Sequence, residues 1–116
     1  MKKSVFFGSV TAVALAASGA LAAEGDTLKE VKARDVLNCG VNTGLIGFAA
    51  PDANGNWSGF DVAFCKAMAA AVLGDATKVK YVPTTGQTRF TALSSGEVDL
   101  LARNSTWTFQ RDTDLK

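Results

Sequence analysis

Residues 103–111, RNSTWTFQR, concentrate hydrogen-bond donors directly after the apolar segment 98–102, VDLLA. Arg103 and Arg111 bring two fixed positive charges, and an asparagine, a serine and two threonines lie between them. A guanidinium group matches the two oxygens of a carboxylate with two parallel N–H bonds, so this composition favours an anion-binding site. The alternative is that Arg111 begins an exposed helix, because most arginines in proteins are solvated.

The composition restricts what such a site could do. The chain has 116 residues, with 12 Lys and Arg against 11 Asp and Glu, and it has no histidine. The small net charge gives no reason to expect a nucleic-acid partner, which usually meets a basic face. Without histidine, the commonest general base and metal ligand is missing, and two cysteines alone cannot form a structural zinc site. Catalysis is not excluded, but we expect no metal, no cofactor and no catalytic residue.

The first residues have the layout of a secretory signal peptide. Lys2 and Lys3 give a positive start, residues 5–17 are apolar, and residues 20–22 read Ala-Leu-Ala, a small-residue cleavage signal. A membrane anchor is the alternative, but a spanning helix needs about 20 apolar residues, and this stretch is shorter and interrupted by polar ones. We therefore predict that residues 1–22 are removed after export.

The remaining chain alternates strand and helix patterns. Residues 24–35 suit a short helix or lead-in, and a loop or hairpin with a tight turn at Asn54-Gly55 precedes the clearest helix. The alternating segments are strand 36–42, helix 61–75, strand 78–84, helix 88–99 and strand 98–102. This order predicts an α/β fold with a mostly parallel sheet and flanking helices. In such sheets ligands bind beyond the carboxyl ends of strands, where Asn42 and residues 103–111 lie.

The two cysteines lie in elements that we expect to pack together. Cys39 is in the first strand and Cys65 in the following helix. An even cysteine count in an exported protein permits a disulfide, which would close a loop of about 26 residues. Two buried free thiols are the alternative, because cysteine often behaves as a small apolar residue. We favour the disulfide, since export exposes the pair to an oxidising compartment.

Three segments together resemble a known family. CGVNTGLIGFAA, GFDVAFCKAMAAAVLGD and TRFTALSSGEVDLLARNSTWTFQR look like the start of a periplasmic solute-binding protein of an ABC-type amino-acid importer. The subgroup it is most similar to serves general L-amino-acid or glutamate/glutamine/aspartate/asparagine uptake. The resemblance implies a two-lobed α/β fold, with residues 23–116 forming only the front part of lobe one.

The resemblance also implies roles for five residues. Arg111 matches the arginine that holds the ligand α-carboxylate, and Thr106 matches a residue whose hydroxyl and backbone N–H assist it. Asn104 matches a position whose backbone carbonyl accepts from the ligand ammonium. Asn42 and Arg89 match positions that face the ligand side chain, although Arg89 could equally be an exposed helix residue.

Other positions depart from the family pattern or serve packing. Leu45 and Gly86 stand where relatives place aromatic rings around the ligand, which implies a roomier pocket. We expect Trp57 and Trp107 to pack rather than to carry ligand.

By resemblance, the protein captures L-amino acids in the periplasm and delivers them to the membrane subunits of an ABC importer, without catalysis. The alternative is a sensory or regulatory lobe of an exported enzyme or receptor with the same fold.

Overall fold

Four helices and five strands make up residues 25–115, the part of the chain that the computed structural model describes. The helices are α1 (Asp26–Arg34), α2 (Phe60–Leu73), α3 (Arg89–Ser94) and α4 (Phe109–Leu115). The strands are β1 (Leu37–Asn42), β2 (Ala50–Pro51), β3 (Trp57–Ser58), β4 (Val79–Thr84) and β5 (Leu100–Leu101). The predicted signal peptide, residues 1–22, lies outside the described residues.

The three long-range strands form the predicted parallel sheet, in the order β4-β1-β5. β1 pairs with β4 along its whole length, from Leu37 opposite Val79 to Asn42 opposite Thr84. Parallel strands with helical crossovers place their carboxyl ends at one edge, so the ends of β1, β4 and β5 lie together. The prediction of an α/β fold with a parallel sheet is confirmed.

The predicted turn at Asn54-Gly55 closes a short antiparallel hairpin of β2 and β3. The Asp52 carboxylate accepts the backbone N–H groups of Asn54 and Asn56, each at 2.8 Å. Gly55 has a φ of 82°, the left-handed conformation that glycine adopts without strain. The side-chain hydrogen bond from Asn56 is the main cause of a lowered pKa of Asp52.

Helix α2 packs one face against the sheet and leaves the other in solvent. Val62, Cys65 and Ala69 are fully or almost fully buried against it. Phe64, one residue before Cys65, is 47% exposed. Gly74 ends the helix with a φ of 72°.

A disulfide joins Cys39 of β1 to Cys65 of α2. Both cysteines have no exposed surface. They belong to a core cluster with Val41, Ala49 and Val62, so the bond ties the helix to the central strand inside the apolar core. The disulfide, which we favoured over two buried free thiols, is therefore present in the structure.

Helix α3 is shorter than the predicted segment 88–99. It ends at Ser94, and the chain then turns through Gly96, which has a φ of 76°. Val98, included in the third predicted strand, donates its N–H to the Ala92 carbonyl at 3.1 Å before β5 begins. The residues after Ser94 therefore form a tight turn back to the sheet and are not part of the helix.

Gly59, immediately before α2, gives a direct test of this packing. Its φ is 122°, and a β-carbon there would lie 2.3 Å from the Phe48 carbonyl oxygen. We expect Gly59→Ala to lower the free energy of unfolding by about 2–3 kcal/mol, since both backbone strain and a backbone clash must be relieved. Denaturant unfolding followed by circular dichroism measures the change.

Gly55→Ala is the matched control. Gly55 also has a positive φ, but nothing lies within 4 Å of the position of its β-carbon. It should therefore lose only about 1 kcal/mol, the usual left-handed strain. Equal losses in the two variants would contradict the clash at Phe48.

Candidate ligand-binding site

Polar side chains gather where the three parallel strands end. Asn42 is the last residue of β1 and Thr84 the last of β4. Arg103 and Asn104 follow shortly after β5, on the other side of the central strand. The shared edge of the sheet thus brings together residues that lie far apart in sequence.

Asn104 accepts three hydrogen bonds, two from distant residues and one from its neighbour Arg103. Its side-chain oxygen accepts from Asn42 Nδ2 at 3.0 Å and from an Arg103 Nη2 group at 3.2 Å. Its backbone carbonyl accepts from Arg89 Nη1 at 2.9 Å. Three of the predicted site residues, Asn42, Arg89 and Asn104, are therefore in direct contact.

Arg111 and Thr106 form a second contact. Arg111 lies in α4, and its Nη1 group donates to the Thr106 carbonyl at 2.6 Å. The backbone N–H of Arg111 donates to the Thr108 hydroxyl at 3.2 Å. The guanidinium is half-buried while Thr106 is exposed, so the pair lies at the protein surface.

The ring of Phe90 links these two groups. The guanidinium carbon of Arg89 lies 4.9 Å from the ring centroid, and that of Arg111 lies 4.8 Å from it. An aromatic face attracts cations through its quadrupole, so both guanidinium groups contact the same ring. The five predicted residues thus form one neighbourhood, with Phe90 at its centre.

Burial and like charge shape the electrostatics beneath this surface. Burial lowers the pKa of Arg103, and the positive charge of Arg89 lowers it further, while Asp61 opposes both. Burial also raises the pKa of Asp61, a nearly buried residue in the first turn of α2, and the charge of Arg103 opposes that shift. The pKa of Arg103 is therefore subject to one acidic and one cationic residue.

An open groove of about 370 Å³ lies next to the arginine pair. Its lining residues are Phe90, Leu93, Ser105, Thr106, Trp107, Arg111 and Asp112. Trp107 is 83% exposed, and its ring N–H donates to an Asp112 carboxylate oxygen at 3.1 Å. The expectation that Trp107 packs is therefore wrong, whereas Trp57 does pack against the core, with its ring centroid 5.7 Å from that of Tyr81.

Sequence reasoning missed three members of this neighbourhood. Arg103 was noted for its charge but given no role, and Thr84 and Phe90 were assigned only to a strand and a helix. The available signal for Arg103 and Thr84 was their place at the carboxyl ends of predicted parallel strands. Nothing in the spacing indicated that the guanidinium groups of two arginines would both contact the ring of Phe90.

Residues 25–115 contain neither a metal-binding cluster nor a membrane-spanning helix. No cluster of three or more Cys, Asp or Glu side chains in this range is arranged to hold a metal ion. No helix in this range is long and apolar enough to cross a membrane.

Comparisons with known proteins show which family the chain belongs to. Residues 37–116 match the bacterial extracellular solute-binding proteins, family 3. The chain is 70% identical over 115 residues to the glutamate/glutamine/aspartate/asparagine-binding protein BztA of Rhodobacter capsulatus, covering 99% of this chain and 33% of BztA. It is 61% identical over 115 residues to the general L-amino acid-binding periplasmic protein AapJ of Rhizobium johnstonii, again covering 99% of this chain and 33% of the relative.

A solved structure supports the same conclusion. An ABC transporter periplasmic binding protein from Brucella ovis with glutathione bound superposes with a TM-score of 0.76 and 62% identity, over 78% of this chain and 28% of that one. The chain thus spans about a third of the length of the curated relatives it matches. Since the family match covers most of its residues, the chain belongs to the bacterial extracellular solute-binding proteins of family 3.

Proposed function

We propose that the full-length protein captures L-amino acids in the periplasm and delivers them to the membrane subunits of an ABC importer. The observation that carries this proposal is the convergence of Arg89 and Arg111 on one aromatic ring beside the strand-end carbonyl of Asn104. Two cations and an adjacent carbonyl acceptor suit a ligand with a carboxylate and an ammonium group. Relatives named as amino-acid-binding proteins at 70% and 61% identity support the same ligand class.

Arg111 and Thr106 would hold the ligand α-carboxylate. The Arg111 guanidinium donates through Nη1 to the Thr106 carbonyl, and that contact orients the group in the groove. A guanidinium has five N–H donors, so others are free to pair with a carboxylate. The exposed Thr106 hydroxyl could add a further donor from the same segment.

The Asn104 carbonyl would accept from the ligand ammonium. A carbonyl oxygen has two lone pairs, and Arg89 uses one of them at 2.9 Å. An ammonium on the same oxygen would lie near the Arg89 charge, which is unfavourable unless an anion lies between them. A side-chain carboxylate on the ligand would supply that anion, so the geometry supports Arg89 as the residue that selects acidic amino acids.

We therefore expect Arg89→Ala to weaken the binding of L-glutamate and L-aspartate by about tenfold or more relative to the binding of L-leucine. The reason is that a hydrogen bond to a charged group contributes about 1.5–3 kcal/mol. Calorimetric titration of the full-length protein measures the ratio. Lys80→Ala is the control variant, because it also removes one cation but from an exposed position near the opposite end of the sheet. An equal loss for all three ligands would assign Arg89 to folding.

Asn42 would face the ligand side chain, and the pocket around it would be wide. Leu45 is 37% exposed and Gly86 has open space around it, where a sandwich of aromatic rings would fill the volume. The glutathione in the Brucella ovis structure is larger than a free amino acid, yet its glutamyl end carries both an α-carboxylate and an α-ammonium group. We therefore include glutathione among the ligands to test.

The proposal is tested by titrating the full-length exported protein with L-glutamate, L-glutamine, L-aspartate, L-asparagine, L-leucine and glutathione. We expect at least one dissociation constant at or below about 1 μM, equivalent to roughly −8 kcal/mol. Binding of all six ligands no tighter than millimolar would overturn the proposed function.

We also propose the domain organisation and cellular route that this function requires. Residues 1–22 would be a cleaved signal peptide and residues 23–116 the front part of lobe one. Binding without catalysis is favoured over a sensory lobe of an enzyme, because the similar relatives are named as binding proteins. Mass spectrometry of the secreted protein would reveal whether its first residue is Ala23.

A further inference from the structure

Arg103 occupies the junction of the three parallel strands, beneath the residues proposed to touch ligand. One Nη1 group donates to the backbone carbonyl of Thr84, the last residue of β4. Its Nη2 group donates to the Asn104 side-chain oxygen at 3.2 Å, on the segment that follows β5. The guanidinium fork thus ties the segment after β5, on which both Arg103 and Asn104 lie, to the end of β4.

The Thr84 end of this connection is itself fixed. Thr84 is 2% exposed, and its hydroxyl donates to the Val41 carbonyl of β1 at 3.1 Å. The Thr84 hydroxyl is buried, so moving Thr84 away from the Val41 carbonyl would leave a buried donor unpaired, which is unfavourable. The Thr84 carbonyl therefore offers Arg103 a fixed acceptor at the end of β4.

The Asn104 end is oriented by this anchor. Its side-chain oxygen also accepts from Asn42 Nδ2 at 3.0 Å, and the Asn42 oxygen accepts the Gly44 N–H at 3.2 Å. With two donors on the Asn104 oxygen, a reversed amide would place its NH₂ group against both of them. The position of the Asn104 backbone, and hence of its carbonyl, follows from the side chain that Arg103 and Asn42 hold.

Two charged residues act on Arg103. Burial and the charge of Arg89 lower the pKa of Arg103, whereas the charge of Asp61 raises it. A lysine could not replace this arrangement, since its single ammonium lacks the planar fork that reaches two acceptors in defined directions.

We infer that Arg103 is a positioning residue of the amino-acid site: by joining the Thr84 carbonyl to the Asn104 amide, it sets the place of the Asn104 carbonyl without contacting ligand. The inference rests on the proposed function, because it assigns the Asn104 carbonyl to the ligand ammonium. It adds a residue, and a route through the Asn104 side chain, to those that the family resemblance implied.

A double-mutant cycle in the full-length protein tests this route, with L-glutamate as the probe. Arg103→Met and Asn104→Ala should each weaken binding by about tenfold, the loss expected for one hydrogen bond to a charged group. Because both changes break the same connection, the double variant should lose about tenfold rather than a hundredfold. A hundredfold loss in the double variant, or wild-type affinity in Arg103→Met, would overturn the inference.

Arg103→Lys keeps the inference testable if the methionine variant does not fold. It preserves the charge but not the fork, so we expect about the same tenfold loss. Wild-type affinity in this variant would show that charge alone suffices and would overturn the inference. Lys80→Ala, which removes an exposed cation far from the junction, is the control for both.

A spectroscopic readout separates this inference from the proposed function. The side-chain amide signals of Asn42, which donates to Asn104 but lies far from Arg103 in the chain, should shift in the NMR spectrum of Arg103→Lys and stay in place in Lys80→Ala, without any added ligand. Unchanged Asn42 signals in Arg103→Lys would overturn the inference by themselves. Failure of the wild-type protein to bind L-glutamate would instead count against the proposed function.

Discussion

Replacing Arg111 by alanine in the full-length protein should weaken the binding of every L-amino acid by a similar factor, between about 30-fold and several thousand-fold. That range corresponds to about 2–5 kcal/mol, the usual cost of removing one partner of a desolvated, hydrogen-bonded charge pair. The loss should be uniform because all L-amino acids present the same α-carboxylate to the guanidinium. Calorimetric titration with L-glutamate, L-glutamine and L-leucine measures it.

Folding should be little affected by this substitution. Arg111 donates to the carbonyl of an exposed residue, Thr106, which water can satisfy when the guanidinium is removed. Arg111→Lys is the informative companion, since it keeps the charge and should lose less affinity than alanine. Wild-type affinity in Arg111→Ala, with an unchanged unfolding midpoint, would remove Arg111 from the site.

Reducing the bond between Cys39 and Cys65 should lower the free energy of unfolding by about 3.5 kcal/mol. The bond spans 26 residues, and in the chain-entropy description a tether of that length removes about this much freedom from the unfolded chain. Denaturant unfolding of the oxidised and the reduced protein, followed by circular dichroism, gives the difference.

Cys39→Ala combined with Cys65→Ala separates the tether from packing. Both side chains are completely buried, so truncating them adds a packing loss to the loss of the tether. The double variant should therefore be less stable than the reduced wild-type protein. Coincident unfolding curves for oxidised and reduced protein would contradict a stabilising role of the bond.

The parallel sheet could be predicted because its signals are local. Strand 36–42 and strand 78–84 have apolar patterns bounded by turn residues, and the structure places their counterparts at Leu37–Asn42 and Val79–Thr84. The helix from Phe60 to Leu73 ends at Gly74 because that glycine adopts a positive φ, which is a property of the residue itself. Such features depend on a few neighbouring residues and are readable without tertiary contacts.

The junction at Arg103 could not be predicted in the same way. Its hydrogen bonds reach Thr84, 19 residues earlier, and depend on which strand lies between β4 and β5. The exposure of Trp107 likewise depends on the surface left beside α4, a helix that the sequence analysis gave only as an alternative for Arg111. The roles of Asn42, Arg89, Asn104, Thr106 and Arg111 came from family resemblance, and the substitutions at Arg89, Asn104 and Arg111 test three of them.

The order of the strands determines when the site can form. β1 is the first strand of the sheet in the chain, yet it lies at its centre, so both its edges stay unpaired until β4 and then β5 have been added. The hydrogen bond between Asn42 and Asn104 spans 62 residues, a loop that must close before the contact can form. Long-range pairing of this kind slows folding relative to local contacts. The proposed site can therefore be complete only when β5 has docked beside β1.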